Sequence, residues 1–265
     1  MGDLARAAKA AAPRILTLDL ERLPGRFTRD IWEGRDLARV NYLHPDRWDE
    51  LPSTLCASWK WHGDKRVHFV GAWEDDDPHH VARVMWQQIE AADVVVTFNG
   101  RRADLKWLRQ DWAVAGLGLP TPWRDVDLFL VARREFAFES KSLRHLCDRL
   151  GLPNKQGHYD ADEARAAMAG DGPERRRLVR YNKQDSRITE AVFDRLRAYV
   201  TGINFGLYRE DEARCCPGCG SEQLEPAGFA TTTVTRYPAF RCVSCGTVSR
   251  GKHRAAAVPL RQVTR

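Results

Sequence analysis

Four carboxylates and a phenol stand out by type and spacing. Asp19 and Glu21 lie two apart in RILTLDLE (residues 14–21), Asp104 lies five beyond Asn99 in FNGRRAD (98–104), and Asp185 follows Tyr181 by one helical turn in VRYNKQDSRITEAV (179–192). On a strand, side chains two apart share a face, so Asp19 and Glu21 point the same way. On a helix, Asp185 points with Ile188 and Val192, toward the core side, and Tyr181 sits one turn before it. A carboxylate aimed inward is costly unless something cationic neutralises it. The bland alternative for Asp185 is an arginine partner, with Tyr181 as packing.

Cysteines carry a second chemistry. Of seven, five crowd between Cys215 and Cys245. Cys216-x-x-Cys219 and Cys242-x-x-Cys245 are separated by 22 residues, and a glycine follows each pair. Four thiolates so spaced make a closed tetrahedral site for one structural Zn²⁺, a zinc ribbon. Redox C-x-x-C pairs normally open a helix beside a βαβ unit, a context missing from this stretch of sequence. Clustering of this kind is also unlike a disulfide framework. Cys215 is left as a competitor for Cys216, while Cys56 and Cys147 read as isolated buried thiols. FATTTVTRYPAFRC (229–242), between the halves, suits β-hairpins.

The carboxylates meet only if the intervening elements bring them together. RILTLDLE reads as a strand; residues 22–52 read as a long irregular connection. LCASWKW and RVHFVGAW alternate as strands about a GDK turn. A helix runs from about Pro78 to Glu90. DVVVTF (93–98) is a continuous apolar run of the kind buried in parallel sheets. Helical periodicity covers residues 101–114, WRDVDLFLVA (123–132) begins as a strand, and helices follow at 141–152, 160–170 and 173–200. Three strands, a helix, a strand, a helix, a strand and then helices make an α/β fold with a mixed sheet.

The three acidic motifs, in order, resemble those of the DEDD superfamily of 3′-5′ exonucleases on the ribonuclease-H-like fold. LDLE matches its Asp-x-Glu motif, FNGRRAD its Asn-Gly-x-x-x-Asp motif, and YNKQD its Tyr-x-x-x-Asp motif. Arg180 stands where the alternative third motif needs a histidine, which places the resemblance in the tyrosine subclass. DVDLFLVARREF and SLRHLCDRLGLPNK are similar to predicted bacterial and phage exonucleases of the YprB type. The resemblance runs from about Arg14 to Val200. The departure is Ala103, where the family commonly has an aromatic residue just before the second aspartate; it leaves the register of that helix open.

The resemblance implies two-metal hydrolysis of phosphodiester bonds. Two Mg²⁺ or Mn²⁺ ions can activate a water and stabilise a leaving oxygen, and such hard cations prefer oxygen ligands. On that reading Asp19 bridges the metals, Glu21 and Asp185 complete the nucleophile-side ion, and Asp104 serves the other through water. Tyr181 orients the attacking water; a free phenol with a pKa of about 10 suits positioning better than base catalysis. Asn99 reads either as a substrate contact or, with Gly100, as turn chemistry. Asp127 reads as a structural or helix-start group, Lys155 as an exposed lysine, and His79 with His80 as a solvated helix start. Trp59, Trp61 and Trp73 fall in strands and read as core.

Composition bounds the rest. Net charge is +6, but residues 226–265 hold seven basic residues (Arg236, Arg241, Arg250, Lys252, Arg254, Arg261 and Arg265) and no acid. Residues 1–225 are left with 35 basic against 36 acidic residues. A basic tail on a neutral body suits contact with nucleic acid, and the resemblance implies a single-stranded 3′ end as the substrate. No apolar run spans a bilayer, and MGDLARAAKAAAPR has neither a secretory apolar core nor the myristoylation pattern, so no membrane partner and a cytoplasmic location are expected. The expected organisation is a flexible segment (1–13), a ribonuclease-H-like exonuclease domain (14–205), a connector (206–213), a zinc ribbon (214–251) and a basic tail (252–265). The alternative is a nucleic-acid-binding or regulatory protein on a nuclease fold, with the ribbon as the working module and a protein as its possible partner.

Overall fold

The computed structural model describes residues 12–28, 43–154, 157, 159–209 and 213–261. Residues 1–11, Lys155 and Arg265, for which the sequence carried readings, lie outside these. Five strands form the main sheet: β1 (Ile15–Leu23), β2 (Ser53–Trp61), β3 (His68–Gly71), β4 (Val94–Thr97) and β5 (Arg124–Asp127), in the order β3-β2-β1-β4-β5. β2 lies antiparallel to β1 and β3, whereas β4 runs parallel to β1 and β5. This is the α/β mixed sheet expected, with helices on both faces and a separate small β-sheet at the C-terminal end.

The two-residue period of β1 sorts its side chains between those faces. Leu16, Leu18 and Leu20 pack beneath α1 (His80–Glu90) and α2 (Asp104–Val114), in a core with Met85, Ile89, Leu105, Leu108 and Trp112. Ile15 turns to the opposite core, under α3 (Leu128–Glu135), α4 (Leu143–Leu150) and α6 (Gly172–Leu196). Asp19 and Glu21 share that second direction, so strand geometry alone delivers both carboxylates to α6. α5 (Ala161–Met168), closed at its start by a reciprocal Asp160–Glu163 capping box, packs against α6.

α6 has strong reasons to form and to sit where it does. The Asp171 carboxylate caps it by accepting from Glu174 N at 3.0 Å, and Pro173 occupies its first turn. It buries Leu178, Ile188, Val192, Phe193 and Leu196, each contributing about 1.5–3 kcal/mol of burial. Beside this apolar stripe runs a polar seam to β2. Ser58 Oγ donates to Asn182 O at 2.8 Å and Ser186 Oγ to Ser58 O at 3.2 Å. Lys60 pairs with Glu190, and His62 Nε2 lies 2.9 Å from Asp194 Oδ1. Ser58 and Lys60 of β2 and His62 just past it, alternate residues, thus meet successive turns of α6, which fixes the helix's rotation as well as its position.

The C-terminal sheet holds β6 (Leu224–Thr231), β7 (Thr235–Cys242) and β8 (Val248–Arg250), antiparallel in that order, with β9 (Ala256–Ala257) beside β7. Phe205 joins it to the main body: its ring is buried with the α6 core while its N–H donates to Pro217 O at 2.9 Å. Among the described residues no helix is long and apolar enough to cross a membrane.

Candidate functional site

Asp19, Glu21 and Asp185 each offer a carboxylate oxygen within 4.8 Å of the others. Two come from β1 and one from α6. They lie in a cleft of about 490 Å³ whose lining also includes Asn99, Asp104, Tyr181, Trp107 and the first residues around α4. Three carboxylates this close repel one another unless a cation is shared between them. The donor set is all oxygen, which fits Mg²⁺ or Mn²⁺ and disfavours softer metals.

Asp104 stands in the wall of the same cleft, outside the cluster of three. It opens α2, and its Oδ1 accepts the Leu20 N–H at 2.9 Å, so the carboxylate is pinned to β1 between Asp19 and Glu21. The register left open by Ala103 is therefore one that turns Asp104 inward. Burial raises its pKa to about 6, helped by the charge of Asp127 and opposed by the backbone N–H groups of Asp104 and Leu20.

Asn99 forms the turn that one reading expected, and it also lies at the cleft. It adopts a positive φ of 65°, a turn conformation asparagine tolerates, and its side chain lines the cleft. Asp127 holds that turn in place, accepting from Asn99 N at 2.8 Å and Arg101 N at 3.2 Å while capping α3 through Phe129 N at 3.0 Å. This is the structural, helix-start role the sequence suggested. Gly100 is required here, because a Cβ would lie 2.4 Å from Thr97 Oγ1.

Tyr181 lines the cleft half-buried, one turn before Asp185, with its ring 6.4 Å from that of Tyr159. Tyr159 Oη donates to Arg22 O at 3.2 Å, and burial together with the Glu21 charge pushes its own ionisation up, so it remains a neutral support.

Sequence reasoning passed over Asn182. Fully buried between Tyr181 and Asp185, it donates Nδ2–H to Asp19 Oδ2 at 2.7 Å and to Asp19 O at 3.2 Å. An asparagine on the buried side of a helix that already carries an inward carboxylate was the available signal. Lys141, Ser142 and Arg144 were also missed; they line the cleft from the start of α4, which chain order alone does not place there.

At the other end of the chain, Cys216, Cys219, Cys242 and Cys245 bring their four sulfurs within 4.8 Å of one another. Cys215 lies outside that group. The two C-x-x-C turns are near copies: Gly220 and Gly246 each have φ of 76°, and each N–H donates back, to Cys216 O at 2.8 Å and Cys242 O at 3.0 Å. Gly218 N–H also donates to Cys216 Sγ at 3.3 Å. Burial opposes ionisation of Cys242, but N–H groups of Cys245 and Ser244 and the neighbouring thiols outweigh it and bring the pKa down to about 6. Burial pushes Cys216 and Cys219 the other way, so a cation is what would let all four sulfurs ionise together; four sulfurs and two knuckles fit Zn²⁺.

Residues 48–197 match the family model described as RNase_H superfamily, a span that includes Asn99, Asp104, Tyr181 and Asp185 and begins after β1. Among solved structures, the chain is similar to the family B DNA polymerase from the hyperthermophilic archaeon Pyrobaculum calidifontis, with a TM-score of 0.52 and 19% identity. That likeness covers 70% of this chain and 25% of the polymerase, and at this identity it is one of fold. No curated protein matches the chain.

Proposed function

Because the chain belongs to the RNase H superfamily, we propose that it is a metal-dependent 3′-5′ exonuclease acting on nucleic acid. The observation that carries this reading is the meeting of Asp19, Glu21 and Asp185 within 4.8 Å, in a cleft that also holds Asp104 and Tyr181.

Two Mg²⁺ or Mn²⁺ ions held there would supply an activated water and a stabilised leaving oxygen. The protein's part is to fix the groups around them. Asp19, Glu21 and Asp185 would hold the ions, and Asp104 would support them from the wall of the cleft. Tyr181 orients the attacking water, held by Tyr159 behind it. Asn99 contacts the terminal nucleotide from its turn, and the apolar side of the cleft, with Phe98, Trp107 and Phe129, suits an unpaired base. A single-stranded 3′ end fits such a seat better than a stacked duplex.

The division into an exonuclease domain at 14–205 and a zinc ribbon at 214–251 belongs to the same reading. The ribbon sheet carries Arg236 4.4 Å over the Phe229 ring and Arg250 4.1 Å over Tyr237. Arginine–aromatic pairs on an exposed sheet suit phosphates and bases, so the ribbon serves as a hold on the substrate.

The test uses single-stranded DNA, duplex DNA and RNA, each labelled at the 5′ end, with Mg²⁺ or Mn²⁺. A ladder shortening stepwise from the 3′ end, lost in Asp19→Ala, is expected. Cleavage only at internal positions would make the protein an endonuclease. No cleavage of any substrate by the zinc-loaded protein would reject the enzyme reading in favour of a binding module.

A further inference from the structure

The outer face of α6 sorts its charges in an unusual way. Glu174 pairs with Arg177, Glu190 with Lys60, Asp194 with His62 and Arg197, and Asp185 turns into the cleft. Every acid of the helix is thus committed to a neighbour or to the cleft. Arg176, Arg180, Lys183 and Arg187 remain, at spacings of four, three and four residues. Those spacings put all four on one stripe. Among the described residues none of the four has an ion pair, and the three arginines are exposed. A solvated helix face ordinarily interleaves opposite charges at these spacings, and like charges there are unfavourable by a few tenths of a kcal/mol per pair. This row instead repeats one sign over roughly 16 Å, at 1.5 Å per residue.

The stripe also has an apolar bed. Arg180, Lys183 and Arg187 share a groove with Pro153, Val179, Ile188 and Ala191. Gln184 Nε2 donates to Asn154 O at 3.1 Å and ties the groove's far wall to the helix. A line of cations beside an apolar bed matches a ligand with regularly spaced anions and flat apolar faces. Arg180 and Tyr181 are adjacent in sequence, the first on the stripe and the second in the cleft. Their side chains diverge by about 100° around the helix axis, at 3.6 residues per turn.

We infer that this face of α6 is a second seat for single-stranded nucleic acid, where phosphates lie on Arg176, Arg180, Lys183 and Arg187 while bases rest on the apolar bed. It rests on the nucleic-acid reading above and extends it: the strand crosses α6 a few nucleotides from the end held in the cleft.

The experiment measures binding of a labelled single-stranded oligonucleotide across a salt series. It uses the full chain with zinc present and Asp185→Asn as background, so that the strand is not consumed. Arg180→Gln with Arg187→Gln should weaken binding and reduce the slope of log affinity against log salt by about 0.7 for each phosphate no longer held. The weakening should be much smaller for a dinucleotide, which is too short to reach both seats. Arg133→Gln with Arg47→Gln, two exposed arginines off α6, controls for net charge, and circular dichroism confirms that the variants keep their helices. Equal affinity and slope in the α6 double variant and the charge control would overturn the inference, and so would failure of the background protein to bind the strand. Weaker binding by the double variant in a protein whose active form hydrolyses nothing would keep the α6 seat and reject the exonuclease reading.

Discussion

Asn182 Nδ2 donates to Asp19 Oδ2 at 2.7 Å, tying the helix that carries Asp185 to the strand that carries Glu21. Ser58 Oγ in turn donates to the Asn182 backbone carbonyl at 2.8 Å, so this turn of α6 is braced from β2. Asn182→Ala should therefore loosen the three carboxylates without changing any of them. Loss of a hydrogen bond to a charged, half-buried group should cost about 1–3 kcal/mol of stability. Calorimetry should also show weaker Mn²⁺ binding; unchanged Mn²⁺ affinity would leave Asn182 a packing residue.

Asp19→Ala and Asp185→Ala should abolish hydrolysis while the fold survives. Each removes a ligand position and relieves repulsion among carboxylates within 4.8 Å. The loss should be on the order of 10³-fold or more, the equivalent of several kcal/mol at the transition state. Without divalent metal, Asp185→Ala should melt at or above the wild-type temperature, whereas Asp19→Ala also loses the bond from the buried Asn182 amide, which offsets the relief. A double variant as active as wild type would move the site elsewhere.

Tyr181→Phe keeps the ring against Tyr159 and removes the hydroxyl. Single-turnover hydrolysis should slow by on the order of 10²-fold while Mn²⁺ affinity holds. A rate unaffected by the substitution would make Tyr181 a packing residue.

Asp104 should give the metal-free protein a pH-dependent stability. Its folded pKa of about 6 lies above the ordinary value of 3.8, so the native state holds the proton more tightly. The associated stability is fully present below pH 3.8 and is lost as the pH rises through 6. The difference is on the order of 3 kcal/mol. Asp104→Asn keeps an acceptor for the Leu20 N–H and removes the charge, so denaturant melts of this variant should lose that slope and gain stability at neutral pH. A variant with the wild-type slope would place the titration on another group.

Zinc should be required by the C-terminal sheet and dispensable to the main one. Chelation, or Cys219→Ser, should strip hydrogen-exchange protection from β6–β8 and leave β1, β2 and β4 protected. Acid should release the metal as the sulfurs take up protons, because only the thiolates bind it. Protection of β6–β8 that survives full chelation would show that the sheet folds without metal.

Much of this protein is determined by short-range pattern. The period of two puts Asp19 and Glu21 on one face of β1, the helical period puts Tyr181 and Asp185 on one side of α6, and two C-x-x-C-Gly turns dictate matched knuckles at Gly220 and Gly246. Element order alone was enough for a mixed sheet. What the tertiary structure decided are relations between residues far apart in the chain. Leu20 fixes Asp104 from 84 positions away, and Asn182 reaches Asp19 across 163. Asp127 serves as the anchor of the Asn99 turn, although its sequence context marks only a helix start. α4 brings Lys141 and Arg144 to the cleft, and the acids of α6 pair with neighbours or turn into the cleft, leaving one stripe cationic. Backbone periodicity is local and survives in sequence; hydrogen bonds and ion pairs between elements depend on packing, which no single stretch of sequence contains.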